Sequence, residues 1–299
     1  MNEDIYTQWS FYIQPIIILF GTVGSLLNQI LFHRRKSLRT ASCSLYFRSL
    51  SINDLLVLYI IVLSQWLNDQ FHFDLTIKYL WYCKIQTYTT YCLYAISPYF
   101  LVLGCFDRLC RTSRHIQLRH IATVNMARQI RQIIIILIFV IHGHILFQFN
   151  IIHSMCTPIN IFYFQFFAYF LLMFHSLLPP ILMSIFCGCT LLLLYRRRQK
   201  QQDRYGLNIH SSHKRLRYRD YQLIKVLFLY VTTNILCTLP FAIVFLQYVY
   251  KYNSSPQLAI FVKFTVLLGN LNYCSSFYIY TLGTPLYRRE LLHLIKTFR

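Results

Sequence analysis

The chain has 299 residues, of which 56% are hydrophobic, 17% aromatic and 13% charged, a balance too apolar for a soluble domain of this length. Its formal net charge of +20 taken alone would suit nucleic acid or an anionic lipid surface. The position of the charges decides for the membrane, because 5–33, 85–106, 132–195, 226–250 and 264–287 contain no Lys, Arg, Asp or Glu. Each run supplies the roughly 20 residues that a helix needs to cross hydrocarbon.

The first ten residues, "MNEDIYTQWS", are acidic and lack a signal-peptide cleavage pattern, so the first span, 11–33, is expected to direct insertion itself. A second span covers 45–66 and holds a single acid, Asp54; a third covers 80–107. The run 132–195 is too long for one crossing. It breaks at "NIIHSMCTPIN", a polar, proline-containing loop, which leaves spans at 130–149 and 162–195. "YRRRQKQQDRYGLNIHSSHKRLRYRDYQ" follows, a basic segment with a polar centre and ends that extend the flanking helices. Spans at 222–250 and 257–282 complete the set. In the tail, 284–299, Leu286, Leu291, Leu292 and Ile295 recur at helical spacing among basic residues, as in an amphipathic helix on the inner leaflet. No repeat or second domain is visible. The fold class is an all-α bundle of seven membrane helices, one domain over 1–299.

Seven crossings put the two termini on opposite sides. Of the 29 Lys and Arg, four (Lys78, Lys84, Lys251 and Lys263) fall on one set of loops and 25 on the other. Short cytoplasmic loops are the basic ones, so residues 1–10 are expected outside and the tail inside. The net charge then reflects topology and attraction to the inner leaflet, and nucleic acid is excluded as a partner. Most of the ten cysteines fall within spans, where they read as small apolar packing. Cys83 and Cys156 lie on the oxidising outer side, and a disulfide between them is expected. The one Asn-x-Ser/Thr triplet, at Asn253, lies in an outer loop and is a candidate glycosylation site.

The uncharged run 85–106 ends in "FDRLCR", where Asp107 and Arg108 stand side by side. Taken alone, the pair reads as an ordinary cap or surface ion pair. Cys83 and Arg108 are 25 residues apart, however, which at ~1.5 Å per helical residue is ~37 Å, the thickness of a bilayer. The acid and the base therefore sit at the inner mouth of the bundle. Here the chain resembles the rhodopsin-like G-protein-coupled receptors, whose third helix starts near a disulfide cysteine and ends in Asp-Arg-Tyr, with Leu109 replacing the tyrosine. Among these it is most similar to invertebrate peptide receptors of the FMRFamide type. "LSINDLL" matches the second-helix pattern around Asp54. "CTLP" matches Cys-Trp-x-Pro with Thr238 for tryptophan and Pro240 kept. "SFYIY" stands where Asn-Pro-x-x-Tyr is usual and keeps Tyr280, while "GTVGSLLN" resembles the first-helix Gly-Asn motif, with Ser25 in the asparagine's place unless Asn28 serves instead.

The resemblance implies roles for particular residues. Asp54, Ser97, Asn272 and Ser276 fall where such receptors hold a sodium ion, an allosteric modulator rather than a cofactor, and oxygen ligands suit a hard cation. The alternative for Asp54 is a protonated carboxyl bonded to polar neighbours. Arg108 would pair with Asp107 and with Asp220, twenty residues before Pro240, clipping the inner ends of the third and sixth helices; the alternative is that Asp220 balances its arginine neighbours. Thr90 stands where amine receptors carry an aspartate and Asn270 where opsins carry a lysine, so an amine ligand and retinal are both disfavoured. Thr90, Tyr91, Tyr94, Phe241 and Phe245 are the candidate ligand pocket, against core packing as the plain alternative, and Asp69 and Asp74 could meet a basic peptide.

The resemblance thus implies a plasma-membrane receptor that passes a signal from an extracellular ligand, a neuropeptide, to a heterotrimeric G protein. A divergent orphan chemosensory receptor is the alternative, ahead of a small-solute or ion transporter, which the absence of inverted repeats and of paired intramembrane charges disfavours. An enzyme is disfavoured because "HGH" at 142–144 puts its two imidazoles on different helix faces, with no carboxylate cluster beside them.

Overall fold

The computed structural model describes residues 2–34, 42–71, 74–113, 115–152, 155–205, 212–251, 256–283 and 288; within these, the side chains of 2–5, 34, 119–121, 197–198, 200–205, 212–227, 256 and 280–283 lie outside the description. Among the described residues, seven helices are long and apolar enough to cross a membrane. They are α1 (Asn2–Arg34), α2 (Ser42–Leu56 continuing through Val57–Val62 to Phe71), α3 (Leu80–Thr112), α4 (Val124–His142), α5 (Ile161–Phe170 continuing through Leu171–Leu177 to Tyr205), α6 (Ser212–Tyr250) and α7 (Pro256–Gly283). Where a loop was expected between α4 and α5, the chain forms an antiparallel hairpin, β1 (Phe149–Ile152) and β2 (Met155–Pro158), with Cys156 opposite Ile151.

Side-chain chemistry sets the helix limits. Thr123 caps α4 by accepting from the Met126 N–H, and Asp74 caps the single turn Leu75–Lys78 by accepting from the Thr76 N–H. The helix α1 begins well before the span read from the sequence, at Asn2. Its extra turns are held by Asp69 at the outer end of α2, whose Oδ2 accepts from Tyr6 (3.0 Å), Ser10 (2.9 Å) and Gln14 (3.3 Å). At Gly21 and Gly24, α1 comes so close to its neighbours that an added Cβ would lie 2.5 Å from Leu58 Cδ1 and 2.9 Å from Phe277 Cβ respectively. Small residues permit such approaches between membrane helices.

Two helices change their winding. In Val57–Val62 and Leu171–Leu177 the backbone takes the wider π form, with the N–H of Leu63 bonded to Leu58 O and that of Leu178 to Met173 O. Within the bundle α3 lies centrally, packed on α2, α4 and α5, while α7 packs on α1 and α6. Its buried face joins one large apolar core that includes Phe47, Leu50, Leu58, Ile61, Leu101 and Tyr230. Val140, Phe147, Phe162 and Phe228 point outward and are 70–81% exposed, as a lipid-facing surface requires.

Candidate functional site

Along α3 the structure arranges three polar levels. At the middle level Asp54 is 0% exposed and its Oδ1 accepts from the Ser97 hydroxyl (2.8 Å). That hydroxyl accepts from Asn53 Nδ2 (2.7 Å), which also donates to Leu93 O (2.9 Å), so α2 is stitched to α3. Ser276 stands beside the same carboxylate, one turn beyond the buried Asn272 on α7. Asp54 Oδ2, Asn272 Oδ1 and Ser276 Oγ have no hydrogen-bond partner among the described residues, and both polar side-chain atoms of Asn28 on α1 share that condition. Buried oxygens left in this state carry a desolvation cost that a cation or water would relieve, so the donor set fits a hard cation. Among the described residues no three His, Cys, Asp or Glu side chains converge as metal ligands.

Toward the C-terminal end of α3 the partners of Asp107 include Arg111, one turn on (Nε to Oδ2, 3.1 Å), and the Ser42 hydroxyl, which donates to Oδ1. Arg111 Nη2 in turn donates to Ser42 Oγ (2.6 Å), closing a triangle that fixes the start of α2 to the end of α3. Arg108 lies beside Cys43 of α2. The backbone of Asp220 is helical within α6 and that of Tyr280 within α7, but both side chains lie outside the described residues. Asn253 and the expected amphipathic tail, apart from residue 288, lie outside them as well.

At one end of the bundle Cys83 and Cys156 form a disulfide that ties α3 to the hairpin. Below it, Tyr91 and Tyr94 of α3, His175 of α5, Asn234, Thr238 and Phe241 of α6 and Asn270 and Tyr273 of α7 are among the residues lining a cavity with about 60 Å³ of room. Thr90 lines a separate cleft between α2 and α3, with Gln65, Asn68, Asp74 and Gln86. Phe245 packs with Phe164, Phe167 and Phe241 in an aromatic cluster under the hairpin. Neither residue is in the lining of the cavity. The acids considered for a basic peptide are both engaged within the fold, Asp69 by α1 and Asp74 by Thr76 and Asn68.

The two histidines of "HGH" diverge. His142 Nε2 faces His175 Nε2 at 3.0 Å, with His142 Nδ1 on Ile138 O (2.8 Å), whereas His144 Nδ1 meets the Tyr163 hydroxyl. The wide turn of α5 carries Leu171, His175 and Ser176 to the cavity wall. Sequence reasoning missed His175, Asn234, Ser42 and Arg111 at these places. A signal did exist for Arg111, since an acid and a base four residues apart share a helix face.

Residues 26–280 match the profile of the 7 transmembrane receptor (rhodopsin family). No single characterised relative matches the chain. With seven crossing helices, a disulfide joining the third to the hairpin and a profile that spans most of its length, the chain belongs to the rhodopsin family of seven-transmembrane, G-protein-coupled receptors, a family of membrane receptors and not of enzymes.

Proposed function

We propose that this receptor lies in the plasma membrane with its N-terminus outside and that its ligand is a neuropeptide. The observation that carries this reading is a pair of openings at the disulfide end of the bundle. One is the small aromatic cavity; the other is the polar cleft of about 240 Å³ lined by Thr90, Gln65 and Gln86. Gln65 joins the two, because its Oε1 accepts from Asn270 Nδ2 (3.0 Å) on the cavity wall. A compact apolar hole divided from a hydrogen-bonding groove only by the Gln65–Asn270 contact suits an elongated ligand that reaches from one into the other. A divergent chemosensory receptor is the second reading, favoured by Thr238, Ser276 and Phe277 where the resemblance leads one to expect Trp, Asn and Pro.

In this mechanism α3 is the common element. Ligand contacts at Tyr91 and Tyr94 favour one arrangement of the bundle through differential binding. The Asp107, Arg111 and Ser42 triangle holds the inner end of α3 to α2, and a pairing of Arg108 with Asp220 would clip it to α6. Pro240, with no N–H to donate, weakens α6 where it must bend. Asp54, Ser97, Asn272 and Ser276 would hold a sodium ion, whose charge would compensate the buried carboxylate.

The test is expression in cells with cyclic-AMP and calcium readouts against a panel of amidated peptides. A ligand-dependent signal is expected. Ligand-independent solute flux in proteoliposomes, with no such signal, would overturn the reading in favour of transport. Asp220→Asn is expected to raise ligand-free signalling, and an unchanged basal level removes the clip.

A further inference from the structure

The wall of the small cavity is chemically uneven. Asn270 is satisfied, with Oδ1 accepting from the Tyr94 hydroxyl (3.0 Å) and Nδ2 donating to Gln65 (3.0 Å). The Tyr273 hydroxyl donates to Tyr94 O (3.1 Å), Ser176 to Thr238 O (3.3 Å) and Thr238 to Asn234 O (2.9 Å). His175 is engaged with His142. Asn234 is different. It is 0% exposed, it lines the cavity, and neither its Nδ2 nor its Oδ1 has a partner among the described residues.

A carboxamide buried with both ends unsatisfied carries its full desolvation cost, so the position makes sense when something polar meets it. Three features narrow what that is. Among the described residues no Asp, Glu, Lys or Arg lines the cavity, so a charged group entering it would find no permanent counter-ion there. Thr238, one turn outward on α6, is small and turns its hydroxyl back onto its own helix, so only small side-chain shifts are needed for a ligand to reach the fully buried amide of Asn234. The room is that of a few waters, enough for a carboxamide carried on one small ring and not for a large ring system.

Asn234 offers a donor and an acceptor side by side in one plane. Its complement is a neutral group that does the same, and the rings of Tyr91, Phe241 and Tyr273 suit an apolar or aromatic body attached to it. We infer that this cavity takes the uncharged carboxamide end of a ligand, paired head to head with Asn234. The inference rests on the reading of the cavity as the ligand site.

The test uses the full chain in lipid nanodiscs and three probes of one shape: benzamide, acetophenone, which lacks the donor, and benzoate, which is charged. Binding is read from the concentration dependence of thermal unfolding. Benzamide is expected to bind about tenfold more tightly than either of the others, the worth of one well-made hydrogen bond. Asn234→Leu keeps the volume and removes both polar atoms, and is expected to abolish that preference. Equal binding of all three probes, no binding of benzamide, or an unchanged preference in Asn234→Leu would each overturn the inference, the second outcome pointing to buried water alone. No G protein enters the measurement. A chain that selects benzamide through Asn234 yet signals to no peptide would sink the receptor mechanism and leave the subsite standing, and the reverse result would sink only the subsite.

Discussion

Helices α3 and α4 are consecutive in the chain and opposite in character. Of the membrane stretch of α3, 67% is buried inside the bundle, against 17% of that of α4, yet α4 has the higher mean hydropathy, 2.1 against 1.4. In water the more apolar helix would be the more buried. Here lipid is the solvent, and the less apolar helix takes the centre because its Ser97, Asp107, Tyr94 and Tyr99 find partners on α2, α7 and α5. Polarity inside a membrane bundle therefore marks the interior, where function is built.

Substitutions can break that contrast in order of size. Cys83→Ala, which frees the outer end of α3 from the hairpin, is expected to cost about 2–5 kcal/mol and to lower the unfolding temperature of the purified protein or stop it reaching the surface. A loss as small as that of a lipid-facing change would mean that α3 is not anchored there. Ala95→Leu adds bulk at a 0% exposed position of α3 and is expected to cost about 1–3 kcal/mol through overpacking, read by the same melt. Val140→Ala on α4, 70% exposed, is expected to change stability by less than about 0.5 kcal/mol. Equal effects at Ala95 and Val140 would remove the distinction between the two helices.

The seven spans are legible in the sequence because each is a continuous apolar run with few or no charges, and hydrocarbon tolerates little else. Their ends are less so: the start of α1 depends on Asp69, a residue that charge counting places in a loop. The meeting of Asp54 and Ser97 can be anticipated from motif spacing. Asn234, His175 and Ser42 cannot, since an isolated Asn, His or Ser in an apolar run says nothing of the face it takes until the helices have packed. Phase is the deeper obstacle. Each wide turn in α2 and α5 shifts every following residue relative to a helical wheel drawn from the start, so faces read from ordinary periodicity go astray beyond it.

The slip at Leu171–Leu177 lets the two halves of α5 be clocked separately. The half nearer the disulfide can dock Phe167 against Tyr91, 4.8 Å between ring centres, while the other half independently sets Cys187 against Cys105, 3.6 Å between sulfurs. Deleting one residue from that stretch would swivel one half against the other by about 100°. The rod would keep its length and its greasiness, yet its two docking faces could no longer be engaged together.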